Sequence, residues 1–300
     1  MIAIDWGGTR LRAYRLDAGG QVLDRRRGEA GALACAGRHA QALAAVIGDW
    51  DDPLLVLCGM VGARGGWVEA PYVPCPAGVD ALAAGMVELT AQARQVPELA
   101  TRSVWCVPGM VDRGAAAADV MRGEESQVIG LLDRLGPGRH TVCLPGTHSK
   151  WVRVEDGAIS GISTALTGEM YGLLRSHSIL ARGMPQADPA LDGAAFDAGL
   201  AHAGSGSGLL HDLFGVRTAT LFDRFAADAL PSYLSGVLVG HELAPVLAGL
   251  DAAAAVHLVG SDGLLERYAR ALAARGVAVQ RHREDLAAIG MHRLAQARFG

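Results

Sequence analysis

Short apolar runs separated by glycine-containing turns open the chain. Residues 2–4 and 11–16 are two such runs, and a third at 21–23 follows the turn formed by residues 17–20. Short β-rich runs with turns of this kind between them are typical of hairpins. The start of the chain is therefore predicted to form three consecutive strands.

The apolar pattern then changes to a longer period and predicts helices between buried strands. Residues 39–50 and 79–93 are predicted helices, and residues 54–58 and 103–107 are predicted strands. A further helix at 124–135 is amphipathic, with acidic residues in the first turn, where the helix dipole favours them.

The strand and turn pattern restarts near the middle of the chain. Residues 141–144 and 151–154 are predicted strands on either side of a Pro-Gly-Thr-His turn, which parallels the Gly-Gly-Thr turn near the N-terminus. We interpret this as a weak duplication of one hairpin. Helical segments are predicted across residues 168–249. They are followed by a strand at 255–259, a helix at 264–275, a strand at 277–280 and a last helix.

Strands mixed with helices in two similar halves indicate an α/β fold with two domains and an inter-domain cleft. The breaker cluster at residues 136–138 divides the chain into domains of residues 1–135 and 136–300. The last helix is expected to pack back onto the first half, so that the second domain is not contiguous in space.

Composition and charge restrict the class of protein. Hydrophobic residues make up 50% of the 300 residues, and the net charge of −4 offers no basic footprint for nucleic acid or anionic lipid. No signal peptide or membrane span is expected, because the first residues lack a basic region and no uncharged apolar stretch reaches ~18 residues. Five scattered cysteines without a CxxC pair indicate reduced thiols in the cytoplasm and argue against zinc.

The turn after the first predicted strand carries residues suited to phosphate. Gly7 and Gly8 let the backbone approach an anion, and consecutive N–H groups form an anion-binding nest. Thr9 adds a hydroxyl for a phosphate oxygen, and Asp5, at the strand end, is a candidate ligand for Mg²⁺. The alternative is a plain hairpin turn with a solvent-facing aspartate.

The mid-chain turn at residues 145–150 has the same character. Gly146 and Thr147 repeat the glycine and threonine pair, and Lys150, the only lysine in the chain, is a compact cation suited to phosphate. Two such turns, one in each domain, would hold the phosphates of one nucleotide from both sides. A simple hairpin loop is again the alternative.

A third glycine-containing turn leads from a predicted strand into a helix near the C-terminus. Gly260, Ser261 and Gly263 would bring backbone groups to an adenosine group at the helix N-terminus, although βα turns commonly contain glycine for structural reasons. Other nucleotide-binding signatures, GxxxxGK[ST] and GxGxxG, are absent. Two catalytic signatures are incomplete: His241-Glu242 lacks the second histidine of HExxH, and residues 204–208 miss GxSxG by one position.

In chain order the three turns resemble the phosphate-1, phosphate-2 and adenosine motifs of the sugar kinase, heat-shock protein and actin superfamily. Longer segments narrow the resemblance to the 2-dehydro-3-deoxygalactonokinase family, over nearly the whole chain. These segments are residues 58–72, 119–125, 144–151, 167–169 and 177–180. The resemblance implies two actin-like (ribonuclease H-like) ATPase domains with mixed sheets. It also implies phosphorylation of 2-dehydro-3-deoxy-D-galactonate to its 6-phosphate in galactonate catabolism, with ATP and Mg²⁺.

The resemblance also suggests where the catalytic carboxylate lies. Superfamily kinases place it just before or within the first turn of the helix that closes the first domain. Glu124, at the predicted helix start, is the first candidate for the base that accepts the hydroxyl proton, and Asp119 is the second. Solvent-facing acids that complement the helix dipole are the alternative. Leu144-Pro145 replaces an acidic residue of many members, so metal binding rests chiefly on Asp5.

A sugar acid needs a cation for its carboxylate and polar groups for its hydroxyls. The loop after the strand at 54–58 offers Arg64, Trp67 and Glu69, and a guanidinium suits a carboxylate bidentately. An ordinary solvated arginine is the alternative. Arg122 either pairs with the neighbouring acids or contacts the substrate.

Two other function classes stay open. One is a phosphoanhydride hydrolase of the exopolyphosphatase type on the same scaffold, and the other is a nucleotide-dependent regulator. The regulator has no helix-turn-helix or basic patch to support it. The expected partners are a small sugar acid and ATP, without nucleic acid or membrane, and association into a homo-oligomer is left open.

Overall fold

Strands and helices alternate along the chain, which confirms the α/β class. The computed structural model describes residues 1–114, 117–250, 255–283 and 285–300. The strands in these ranges are β1 Ile2–Trp6, β2 Leu11–Leu16, β3 Val22–Gly28, β4 Leu54–Gly59, β5 Tyr72–Pro74, β6 Val87–Glu88, β7 Ser103–Cys106, β8 Gly109–Asp112, β9 Asp119–Met121, β10 Arg139–Leu144, β11 Ser149–Glu155, β12 Ala158–Ala165, β13 Val256–Gly260 and β14 Val279–Arg283. The helices are α1 His39–Ile47, α2 Val79–Ala84, α3 Thr90–Ala93, α4 Glu124–Leu135, α5 Thr167–His177, α6 Gly193–Ala203, α7 Leu209–Leu221, α8 Leu230–Leu247, α9 Asp262–Ala273 and α10 Leu286–Phe299.

Two mixed sheets repeat one local order. In the six-stranded sheet the order is β3-β2-β1-β4-β7-β6, with β1 antiparallel to β2 and parallel to β4. The five-stranded sheet has the order β12-β11-β10-β13-β14. In both sheets three consecutive strands are followed by one from later in the chain, which agrees with the predicted duplication of the hairpin.

The described chain forms two compact units. The first contains residues 1–142, 152–163 and 283–300, and the second contains residues 143–151 and 164–282. The predicted domain boundary between residues 135 and 136 stays a prediction.

The C-terminal helix belongs to the first unit, as the sequence predicts, and packs against α4. A Cβ added at Gly290 would lie 1.8 Å from the carbonyl oxygen of Ser126, so only glycine permits this close approach.

Each unit has its own apolar core. Ile2, Ile4 and Trp6 of β1 are fully buried in the first, and Phe196 and Tyr233 are fully buried in the second. This burial leaves Asp5 as the one residue of β1 that is not buried. Among the described helices, none combines the length and apolarity that crossing a bilayer requires.

Tertiary pairing overrides two features of the sequence pattern. The helix predicted at 79–93 is two short helices, α2 and α3, separated by β6, because Val87 pairs with Cys106 of β7. Three unpredicted strands, β5, β8 and β9, form a small sheet in which Asp112 stands opposite Asp119.

Candidate active site

The first glycine turn joins β1 to β2 and presents exposed backbone. Asp5 accepts a hydrogen bond from Arg12 Nη1 at 3.1 Å and is 17% exposed. Gly8 and Thr9 are exposed, and a Cβ added at Gly8 would meet no atom within 4 Å. A phosphate can therefore approach this backbone closely.

The second glycine turn joins β10 to β11, and the start of α5 packs against it. Glu169 N–H donates to the Thr147 carbonyl oxygen at 2.9 Å. Gly168 lies so close that an added Cβ would be 2.4 Å from the Gly146 carbonyl oxygen. On its other side the turn is open, because a Cβ at Gly146 would meet no atom within 4 Å. His148 Nε2 and Glu169 Oε2 form a surface contact at 2.5 Å.

Lys150 does not lie in the second turn, contrary to the sequence prediction. It is the second residue of β11, is 6% exposed, and its Nζ donates to Thr164 Oγ1 at 2.8 Å. The strand begins at Ser149, which is fully buried and whose Oγ lies 2.8 Å from the Tyr268 hydroxyl. A phosphate contact from Lys150 stays a prediction.

The third motif lies where β13 passes into α9. Ser261 and Gly263 are exposed, and a Cβ at Gly260 would be 3.7 Å from the Pro145 carbonyl oxygen, so this junction borders the second turn. A cavity of the second unit lies beside both. Its lining includes the backbone of two glycines, three apolar side chains and one cation, which are Gly146, Gly168, Leu238, Val239, Leu264 and Arg267. Apolar walls next to glycine backbone suit a nucleoside that carries phosphates.

The predicted catalytic acids lie on different elements. Glu124 is the first residue of α4, as predicted, is partly exposed, and accepts a hydrogen bond from Arg122 N–H at 3.0 Å. Asp119 lies on β9 in the small sheet, where its Oδ1 accepts from Val120 N–H at 2.8 Å. The structure therefore places only Glu124 at a helix N-terminus.

Glu125, next to the predicted base, was not among the predicted site residues. It is fully buried, and both of its carboxylate oxygens accept from Gly123 N–H, at 2.9 and 2.7 Å. Burial, followed by the charge of Glu124, raises the pKa of Glu125 to about 8. Its burial could have been predicted from its position in the helix, because Glu125 lies three and four residues before the buried Val128 and Ile129 and therefore on the same face of α4.

Asp5 and Glu125 both influence the buried thiol of Cys58. Asp5 stands opposite Cys58 in the parallel pairing of β1 and β4. Burial raises the pKa of Cys58 well above its usual value, and the charges of Asp5 and Glu125 raise it further. The metal candidate and the start of α4 therefore lie at the same end of this sheet.

The loop predicted to bind the sugar acid is only partly organised for that task. Arg64 Nε and Glu69 Oε1 are 3.4 Å apart, and the two side chains are 89% and 63% exposed. Trp67 instead stacks on His39, with ring centroids 5.9 Å apart, and packs against the core. Arg64 and Glu69 are brought together, whereas Trp67 has a packing role in the structure.

Arg122 is a second cation close to this loop. Its guanidinium lies over the Tyr72 ring at 4.2 Å, and its Nη2 donates to the Ala70 carbonyl oxygen at 2.8 Å. Among the described residues, its buried Nε and Nη1 have no hydrogen-bond partner.

The residues present fit a metal held mainly by phosphates. In the part of the chain that the structure describes, no group of three His, Cys, Asp or Glu side chains is arranged to hold a metal ion. Mg²⁺ commonly uses one or two carboxylates together with substrate phosphates and water. Asp5 alone at the first turn is consistent with such a site.

The repeated sheets and glycine turns define an actin-like ATPase fold of the kind found in sugar kinases. A ROK family glucokinase from Streptomyces griseus has this fold, with a TM-score of 0.50 and 13% identity over 99% of each chain. The activator of 2-hydroxyisocaproyl-CoA dehydratase from Clostridium difficile matches with a TM-score of 0.51 and 10% identity, over 99% of this chain and 96% of its own. At these identities the similarity shows the fold alone.

Within this class the model of the 2-keto-3-deoxy-galactonokinase family matches residues 5–294, and the chain belongs to that family. A probable 2-dehydro-3-deoxygalactonokinase from Rhizobium meliloti (strain 1021) is 38% identical, over 93% of this chain and 90% of its own. The 2-dehydro-3-deoxygalactonokinase of Escherichia coli (strain K12) is 35% identical, over 92% and 90%. A crystal structure from Sinorhizobium meliloti, named for the same activity, matches with a TM-score of 0.87 and 35% identity over 99% of each chain.

Proposed function

We propose that the chain transfers the γ-phosphoryl group of ATP to the terminal hydroxyl of 2-dehydro-3-deoxy-D-galactonate and forms the 6-phosphate. The observation that carries this proposal is the family match over residues 5–294, together with relatives of this activity at 35% and 38% identity. The two open glycine turns agree with ATP as the donor. The reaction belongs to galactonate catabolism, and we propose the cytoplasm as its location.

In this reaction the residues of the chain bind, orient and accept a proton. The hydroxyl oxygen bonds to the γ-phosphorus as the bond from that phosphorus to the bridging oxygen of ADP breaks. The hydroxyl proton passes to the Glu124 carboxylate. Backbone N–H groups at Gly7, Gly8 and Gly146 hold the phosphates, and Gly260, Ser261 and Gly263 border the nucleoside.

Arg122 suits the substrate carboxylate better than Arg64 does. Its guanidinium is held in place by the Tyr72 ring and by the Ala70 carbonyl, so little conformational freedom is lost when it binds a ligand. Arg64 is almost fully exposed, so solvent screens its charge. We assign Arg64 and Glu69 to the outer edge of the sugar site.

The experiment that tests the activity is an ATP-consumption assay over six-carbon 2-keto-3-deoxy sugar acids. We expect turnover with the D-galactonate derivative, weaker turnover with its C4 epimer, and almost none without sugar acid. ATP or polyphosphate turnover at the same rate without any sugar acid would contradict the kinase and favour the hydrolase. Neither the described contacts nor the relatives favour the hydrolase or the regulator.

We further propose that Asp5 contributes the one carboxylate of a Mg²⁺ site, where the ion would neutralise phosphate charge. Asp5→Asn should lower kcat by roughly 100-fold and raise the Mg²⁺ concentration needed for half-maximal rate, because the charge is lost while the shape is kept. Magnesium titrations in steady-state assays measure both effects. Arg12→Gln, which removes the Asp5 partner, is the control and should shift the magnesium requirement much less. Full activity of Asp5→Asn, or of the wild type in excess chelator, would contradict the assignment.

A further inference from the structure

A buried carboxylate beneath the second glycine turn takes no part in the mechanism above. Glu242 lies on α8 and is 8% exposed. Its Oε1 accepts from Trp151 Nε1 at 2.7 Å, and its Oε2 accepts from the Tyr268 hydroxyl at 2.6 Å and from Thr167 Oγ1. One side chain therefore joins a strand and two other helices.

The partners of Glu242 belong to the elements that form the candidate nucleotide site. Trp151 lies on β11 after the second turn, Thr167 begins α5, which packs on that turn, and Tyr268 lies on α9 after the third motif. Thr167 and Tyr268 also line the cavity of the second unit. Glu242 itself does not line the cavity, so it can influence the cavity only through the lining residues that it contacts.

A chain of hydrogen bonds joins Glu242 to the second turn. The Tyr268 hydroxyl gives its proton to Glu242 and lies 2.8 Å from Ser149 Oγ, whose own proton can go to Tyr268 or to Glu242. Ser149 Oγ is then left to accept from Gly146 N–H, which lies 3.5 Å away. The chain thus runs from the backbone of the second turn to Glu242.

Burial raises the pKa of the Glu242 carboxyl, whereas hydrogen bonds from Thr167, Tyr268, Trp151 and Ser149 lower it. A buried carboxylate is normally retained only when such donors satisfy it. Here every recorded partner can donate, and the Trp151 indole can only donate.

We propose that Glu242 is a positioning residue for nucleotide binding, which holds the second turn, the start of α5 and α9 in the arrangement that receives ATP. The inference rests on the proposed function only in taking ATP as the nucleotide. An amide cannot replace the carboxylate. If the amide nitrogen of a glutamine faces Trp151, it meets the indole N–H, and two donors oppose each other. If the nitrogen faces the hydroxyls of Thr167 and Tyr268, Tyr268 must turn its proton toward Ser149.

The first test measures ATP affinity by calorimetry, without sugar acid, and the KM values for both substrates. Glu242→Gln should raise the Kd and KM for ATP roughly 10-fold or more, because buried donors lose their acceptor. The KM for the sugar acid should stay within about twofold. Asp212→Asn is the matched control, since Asp212 is a fully buried carboxylate of the second unit, 2.8 Å from His241 Nε2. It should lower the melting temperature without changing ATP affinity.

A second pair of variants removes one hydroxyl each and covers the case in which Glu242→Gln does not fold. Tyr268→Phe breaks the chain between Glu242 and Ser149 and should also weaken ATP binding several-fold. Tyr233→Phe removes a buried hydroxyl that lies 2.7 Å from His202 Nδ1 and should leave ATP binding unchanged.

Two results would overturn the inference. One is ATP affinity within about twofold of wild type in folded Glu242→Gln and Tyr268→Phe. The other is an equal loss in the Asp212→Asn or Tyr233→Phe control, which would indicate a general effect of stability. A wild type that binds ATP without phosphorylating the sugar acid would contradict the proposed function alone, and the affinity comparison would still decide the role of Glu242.

Discussion

Replacing Glu124 with glutamine is expected to lower kcat by ~10²- to 10⁴-fold, the contribution typical of a general base. Glutamine keeps the size of the side chain, and its amide oxygen can still accept the hydrogen bond from Arg122 N–H. The start of α4 should therefore stay intact. ATP affinity should change little, because the nucleotide contacts are assigned to the turns. Steady-state kinetics and calorimetry on the same preparation separate the two effects.

Asp119→Asn is the matched control, since it removes one carboxylate from the neighbouring β9. It should leave kcat within a few-fold of wild type. If Asp119→Asn abolishes turnover while Glu124→Gln stays active, the base is Asp119 and not the residue at the helix start. If both variants remain within a few-fold of wild type, positioning and charge neutralisation alone drive the transfer, and neither acid is the base.

Local signals in the sequence were sufficient for the elements that carry the candidate site. The acidic first turn and amphipathic pattern predicted α4 at residues 124–135, and the structure confirms these bounds. The glycine turns were placed correctly between β1 and β2 and between β10 and β11. Such features depend on neighbouring residues, so they can be recognised without knowing the fold.

The features that the sequence missed depend on contacts between distant segments. Lys150 was assigned to a turn because nothing near it indicates that β11 begins at Ser149, whose buried side chain contacts Tyr268 from 119 positions away. The stacking of Trp67 on His39 could not be predicted either, because His39 lies 28 positions earlier in the sequence. The roles of polar and aromatic side chains are especially hard to predict from nearby sequence, because the same residue packs or pairs internally when buried and can contact a ligand when exposed.

Glu125 illustrates how burial changes the behaviour of one of two adjacent acids. Glu124 is partly exposed at the helix start, whereas Glu125 is fully buried and its pKa is raised to about 8. At neutral pH Glu125 therefore keeps its proton, so the pair carries at most one negative charge. A smaller negative charge at the start of α4 favours the approach of ATP to the proposed base.

The same raised pKa predicts a large effect of pH on stability. Below the ordinary pKa of 4.5 the Glu125 carboxyl is protonated in both the folded and the unfolded chain, so the raised pKa does not lower the free energy of unfolding. Between 4.5 and about 8 only the unfolded chain releases this proton, and folding stability falls as the pH rises. The difference of about 3.5 pH units corresponds to about 5 kcal/mol by the end of that range.

Glu125→Gln should therefore be more stable than the wild type, and increasingly so toward alkaline pH. The amide is neutral at every pH and can still accept from Gly123 N–H, so the variant avoids the cost of the raised pKa. Urea denaturation of the ligand-free protein should show a small difference in the free energy of unfolding near pH 5 and a gain of several kcal/mol near pH 8.5. Glu124→Gln, which removes only the second cause of the raised pKa and leaves Glu125 buried, should show a smaller growth with pH. A Glu125→Gln variant whose advantage stays constant or shrinks as the pH rises would show that Glu125 is already ionised in the folded protein at neutral pH.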